Sequence, residues 1–153
     1  MRRALLLMLL LPLLQGALAF AALGTAPSNF GTTPLRQGGR SLAAASGVGT
    51  PAYTVSQSTL DSGTVVREYV NTDGTVFAVS WSGPALPDLR TLLGDKFAVL
   101  TGAAAQRPKA GHSQLALERP DVVIVSSGHM RAYAGHAWLP GALPAGFDTS
   151  VIE

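Results

Sequence analysis

Two short loops, Asp61-Ser62-Gly63 and Thr72-Asp73-Gly74, cut residues 53–82 into three runs of nearly equal length. The runs, YTVSQSTL (53–60), TVVREYVN (64–71) and TVFAVSWS (75–82), are rich in β-branched and aromatic residues. Asp followed closely by Gly is strong hairpin punctuation, because such turns need a positive φ that glycine adopts without strain. The pattern predicts a three-stranded antiparallel meander. The two-residue period of a strand then places Phe77, Val79 and Trp81 together on the core side. A slip of one residue would expose all three, so the turns should fix the register.

Gly83-Pro84 ends the third run, and Pro87-Asp88 sets up a helix with Asp88 as N-cap. Leu89, Leu92, Leu93, Phe97 and Leu100 fall close to one helical face across 88–104, the stripe expected to pack on the sheet. Gly94 interrupts that stripe at about 1 kcal/mol relative to Ala and is expected to divide it into two short helices. Residues 106–113 read as a loop, and Leu115 and Leu117 alternate with polar neighbours as in a short strand near 114–118. Val122 to Val125 is a run of β-favouring residues suited to a strand buried on both faces or central in a sheet. Ser127-Gly128 turns the chain, Arg131 to Leu139 is the last expected strand, and Phe147, Val151 and Ile152 in the tail are available to pack down. The fold class is α+β: an antiparallel sheet of about five strands in the order β-β-β-α-β-β, with one helical segment on one face.

The other informative stretch is 1–21. Arg2 and Arg3 precede an apolar run from Ala4 to Leu14, which gives way to small residues at Ala17, Ala19 and Ala21. This is the order of a secretory signal peptide, with cleavage expected after Ala19 or Ala21. An uncleaved membrane anchor is the alternative, but Pro12, Gln15 and Gly16 interrupt the roughly 20 residues a span needs. Residues 22–51, rich in Gly, Ala, Ser, Thr and Pro, read as a flexible linker that buries too little apolar surface to order itself. Residues 52–153 remain as a single domain. The chain carries 11 Lys+Arg and 9 Asp+Glu, so without Arg2 and Arg3 it is near neutral. Nucleic-acid binding would need clustered positive charge, and the densest downstream pair, Arg107 and Lys109, does not supply it. The absence of cysteine excludes a disulfide framework, thiol chemistry and a lipid-anchored N-terminus. The expected location is periplasmic or secreted, with an envelope or secreted protein as partner and no cofactor. Membrane contact is expected only if the leader stays uncleaved.

Three long strings carry a family resemblance. They are GTVVREYV (63–70), DGTVFAVSWSGP (73–84) continuing to PDLRTLLG (87–94), and SGHMRAYAGHAWLP (127–140). Together they cover most of residues 52–148. The chain resembles domain of unknown function family 2844, found in exported proteins of proteobacteria. The resemblance implies an exported domain and carries no assigned activity.

The densest polar cluster is Ser126, Ser127, His129 and Arg131. Ser127, His129 and Asp121 contain the residue types of an acyl-transfer triad, but no Gly-x-Ser-x-Gly elbow accompanies them. His129 and His136 are candidate metal ligands with Asp121 or Glu118, and His112 is the third histidine. On one continuous strand, however, their odd separation would send them to opposite faces. A buried charge needs a partner, and the run Val65–Val70 buries either Arg67 or Glu68, so Glu68 is expected to pair with Arg131. Trp81, Trp138, Tyr69 and Tyr133 are core residues or, if exposed, an aromatic binding surface. Arg90 is expected to be solvated. The residues taken as a binding set are His129, Arg131, Glu68 and Tyr133, with no catalytic or metal residues. The function expected is that of an exported accessory or binding protein of the envelope. The alternatives are a small hydrolase-like enzyme, or a small-ligand carrier with a site near Ser127, His129 and Arg131.

Overall fold

A computed structural model describes residues 23–27, 53–106 and 114–152. The expected signal peptide and cleavage site, most of the 22–51 linker, His112, Arg107 and Lys109 lie outside those residues. The strands are β1 (Tyr53–Thr59), β2 (Val65–Asn71), β3 (Val76–Gly83), β4 (Gln114–Glu118), β5 (Val123–His129) and β6 (Ala132–Trp138). They form one antiparallel sheet in the order β1-β2-β3-β6-β5-β4. Between β3 and β4 run α1 (Leu89–Leu93), a 3₁₀ turn (Gly94–Lys96) and α2 (Phe97–Ala105). The α+β class and the element order agree with the sequence reading, and the segment near 114–118 is a full sixth strand.

Both meander turns close in the same way. Leu60 N–H donates to Thr64 O at 2.9 Å and Asn71 N–H to Thr75 O at 2.9 Å. Gly63 and Gly74 both stand at φ +81°, the left-handed conformation that ends this kind of three-residue loop. Asn71 tightens the second turn, its Oδ1 accepting from the N–H groups of Asp73 (3.0 Å) and Thr75 (2.9 Å). The helical segment begins where Asp88 Oδ1 accepts from Arg90 N–H at 3.0 Å and Thr91 N–H at 3.3 Å. Gly94, at φ +53°, breaks it into two helices as expected. Leu89, Leu92, Leu93 and Leu100 are buried against Val66, Val79, Trp81, Ile124 and Ala137 of the sheet. Lys96 Nζ reaches Asp121 Oδ2 at 2.7 Å and ties the 3₁₀ turn to the approach to β5. Arg90, rather than merely solvated, lies over the Phe97 ring at 5.2 Å.

The alternation expected for β3 fails at one point. Tyr69 pairs with Ala78 and Val70 with Val76, so Phe77 is an extra residue opposite the 69–70 step. Such a bulge shifts the side-chain parity of the strand. Val76, Val79 and Trp81 therefore face the helices, while Phe77 and Ala78 join the second cluster on the other face. There the C-terminal tail covers the sheet. Phe77 meets Phe147 edge-on at 4.9 Å, Tyr53 meets Phe147 at 5.0 Å, and Tyr69 Oη donates to Val151 O at 3.1 Å. Ile152 is buried in this cluster. Of the run Val122 to Val125, Val122 and Ile124 are buried and Val123 and Val125 are half-buried, because β5 has only the edge strand β4 outside it.

Three residues from the stretch read as linker join the domain. Leu23 is buried among the helix-side core, and its N–H donates to Leu92 O at 3.1 Å. Gly24 N–H donates to Val76 O, and Val76 N–H to Thr25 O, both at 2.8 Å. Leu139 N–H still donates to Phe77 O at 2.9 Å, and past that bond residues 24–25 take over the backbone groups on that side of Val76.

Trp81 packs directly over Gly135. A Cβ on Gly135 would stand 2.3 Å from Trp81 Cζ2 and 2.5 Å from Val125 O. We expect Gly135→Ala to destabilise the domain by about 3 kcal/mol, the upper part of the overpacking range, as read by urea unfolding of the whole protein. Asp88→Ala should lose about 1 kcal/mol of cap, whereas Asp88→Asn should lose less. The Asp88 carboxyl is held below its ordinary 3.8, first by the Thr91 hydroxyl and then by the N–H groups of Thr91 and Arg90. Its stabilisation is thus complete above 3.8 and is lost as pH falls through the lowered value. Acid titration of the unfolding midpoint should show this loss in the wild type and not in Asp88→Asn.

Candidate functional site

β5 and β6 meet in a two-residue turn, Met130-Arg131, with His129 paired opposite Ala132. Arg131 stands at φ +64°, the only non-glycine residue at positive φ among the described residues. Met130 is 94% exposed, the most exposed large apolar side chain among them. His129 and Arg131 are also exposed. The hairpin thus displays an imidazole, a thioether and a guanidinium in three consecutive residues.

The four residues taken from the sequence as a binding set do not all meet. His129 and Arg131 come together at the hairpin tip. Tyr133 lies two residues inside, half-buried, with its ring where a Cβ on Gly128 would stand at 2.8 Å. Glu68 is 3% exposed on the helix side of β2, between Ser56 of β1 and Val79 of β3. Ala137 neighbours Val79 on the far side, and Arg131 is six positions further along the chain, about 20 Å at the rise of a strand. Glu68 and Arg131 are therefore not an ion pair. Sequence spacing could not reveal this, because it depends on β6 pairing with β3 and not with β2.

Nor is a triad assembled. Ser127 Oγ donates to Ala134 O at 3.1 Å. Asp121 is engaged by Lys96 across the other end of β5, about 20 Å from Ser127 at strand rise. The Lys96 ammonium is the leading cause that holds the Asp121 carboxyl below its ordinary value. His129 and His136 share a face of the sheet, contrary to the parity expected of one continuous strand, because the hairpin turn resets it. They still stand apart. Val125 is the neighbour of His136, and His129 lies four residues beyond it, about 13 Å away. No group of three or more potential metal ligands occurs among the described residues.

Register reveals a second grouping that sequence reasoning did not assemble. On the face away from the helices, Gln57, Arg67, Ser80, His136 and Val125 lie side by side across β1, β2, β3, β6 and β5. Arg67 Nε donates to Gln57 Oε1 at 3.0 Å, which orients the guanidinium. His136 lies against Trp138, ring centroids 5.5 Å apart. Partial burial holds the His136 imidazole below its ordinary 6.5, so the neutral ring is favoured.

A family model described as "Protein of unknown function (DUF2844)" matches residues 19–152, which extends the likeness through the whole stretch read as linker. Comparison with curated proteins and with solved structures gives no match. Among the described residues no helix is long and apolar enough to cross a membrane.

Because the unfolded chain takes up a proton at His136 more readily than the folded one, stability should fall as pH drops below 6.5 toward the lowered value. We expect His136→Gln to flatten that part of the stability profile, measured by denaturant titration at successive pH values.

Proposed function

The chain belongs to the DUF2844 family of proteins of unknown function, and from that premise we propose that it is an exported accessory protein. In this reading it works in the periplasm or outside the cell and binds a protein of the envelope or the secreted pool through its β5–β6 hairpin. The leader-like order of residues 1–21 supports export. The observation that carries binding is the tip itself: Met130, 94% exposed, beside an arginine held in the left-handed region. That conformation costs an L-residue roughly 1–2 kcal/mol, and glycine would relieve it. Strain retained at an exposed tip with a large apolar side chain fits a surface kept for contact. Methionine suits such a surface because its unbranched, polarisable side chain adapts to a partner.

Two measurements test this. Cell fractionation with N-terminal sequencing should find the chain outside the cytosol, beginning at Phe20 or Ala22. An unprocessed cytosolic chain would overturn the export reading. Affinity purification of the tagged protein from an envelope fraction should recover a stoichiometric protein that Met130→Asp and Arg131→Gly both lose. Arg131→Gly should unfold at the same or a higher urea concentration than the wild type, so loss of the partner could not be assigned to misfolding. Unchanged recovery in both variants would remove the hairpin from the contact.

A further inference from the structure

We propose that the outer edge of β1 is a self-association surface. A second copy of this chain adds its own β1 antiparallel to it, about a two-fold axis at Ser56, and joins two six-stranded sheets into one. β1 has β2 on one side and, among the described residues, no strand on the other. Leu60 N–H donates to Thr64 O, so by the alternation of an antiparallel ladder Ser58, Ser56 and Thr54 turn their backbone groups toward β2. Val55 and Gln57 turn theirs outward, and neither meets a backbone partner there among the described residues. A row of unpaired N–H and C=O groups is a template for a further strand.

The two edges of the sheet differ in how they are guarded. β4, at the far edge, has five residues, carries Glu118 and runs into Arg119-Pro120. Short length, charge and proline all discourage strand addition. β1 has seven residues, YTVSQST, with no charge, proline or glycine, and it pairs with β2 without a bulge. The same composition selects the occupant. A two-fold axis through Ser56 overlays the whole strand and sets Val55 opposite the partner's Gln57, so that outward groups meet outward groups in hydrogen-bonded pairs. On the helix side Ser56 then faces the partner's Ser56, and Thr54 faces the partner's Ser58. Opposed hydroxyls of this kind support a ladder, and no like charges are brought together. The contact is isologous and closes on itself. Both edges left outermost are β4, whose charge and following proline oppose further addition, so the assembly ends at two copies.

The chain contains no cysteine, so a single introduced thiol reads the register in the whole protein. In this pairing the two Ser56 Cα atoms stand about 4.5 Å apart as a non-hydrogen-bonded pair, within the span of a disulfide. The two Thr54 residues are offset along the strands by about 14 Å and cannot be bridged. Under mild oxidation Ser56→Cys should therefore give a covalent dimer, and Thr54→Cys about tenfold less of one. Sedimentation equilibrium should show the wild type as a dimer at concentrations up to about 1 mM and Gln57→Pro as a monomer. Proline at that position removes an outward N–H and no backbone bond to β2, and circular dichroism should show the variant folded. The proposal is overturned if the wild type stays monomeric over that range, as it would if the edge served a different protein. It is also overturned if Ser56→Cys crosslinks no better than Thr54→Cys, or if a folded Gln57→Pro dimerises unchanged. The β5–β6 hairpin takes no part in this pairing, so the envelope-partner reading stands or falls separately.

Discussion

β3 is buried on both faces, and the rest of the structure is arranged to keep it so. Val76 to Trp81 are all buried, with Val76, Phe77, Ala78 and Val79 fully excluded from water. Its two faces supply two separate cores, one toward the helices and one toward the tail. The bulge at Phe77 reconciles them. It lets two successive residues, Phe77 and Ala78, face the tail while Val76 and Val79 face the helices. Burying a phenylalanine contributes about 1.5–3 kcal/mol, so placing Phe77 under Phe147 gives the tail a reason to stay docked.

Helix side and tail side are closed by different means. Leu92 and Leu93 press on the centre of the sheet, and Trp81 fills the space above Gly135. The Trp81 indole nitrogen has no hydrogen-bond partner among the described residues. An unmet buried donor costs about 1–3 kcal/mol, and the apolar area of the indole offsets it. The same packing demands the absence of a side chain at Gly135, and at Gly83, where a Cβ would stand 2.4 Å from Thr64 Cα. Both glycines are fixed by close approach and not by backbone conformation.

Much of this was legible in the chain. Gly63 and Gly74 mark turns whose geometry needs a positive φ, so the meander and its register follow from two residues. Asp88, Gly94 and the leucine stripe state where the helices start, divide and face. What could not be read depends on contacts distant in sequence. Nothing local says that Phe77 is the bulged residue, because any of Val76 to Val79 would suit either core. Leu23 sits in a run of small and polar residues that describes a linker, and it docks because its N–H meets Leu92 O, its side chain enters the helix-side core, and Gly24 and Thr25 pair with the backbone of Val76. The binding set failed to converge for the same reason. Glu68, Arg131 and Tyr133 were grouped by chemistry, whereas their positions follow from β6 lying against β3.

Register also explains why the polar face is where it is. Each strand changes character in step as it leaves the tail: Val55 to Gln57 on β1, Tyr69 to Arg67 on β2, Ala78 to Ser80 on β3, Trp138 to His136 on β6. Four strands making the same change at the same level cannot be explained by the tail alone, which would tolerate any soluble residue beyond its reach. Solvation by itself favours short polar groups there, as at Ser82 and Ser127. The longer side chains of Arg67 and His136 stand on either side of Ser80, Arg67 held by Gln57 and His136 half-buried against Trp138. A long cation on a sheet loses rotamer freedom when it is braced, as Gln57 braces Arg67. The hydrogen bond to Gln57 Oε1 offsets part of that loss.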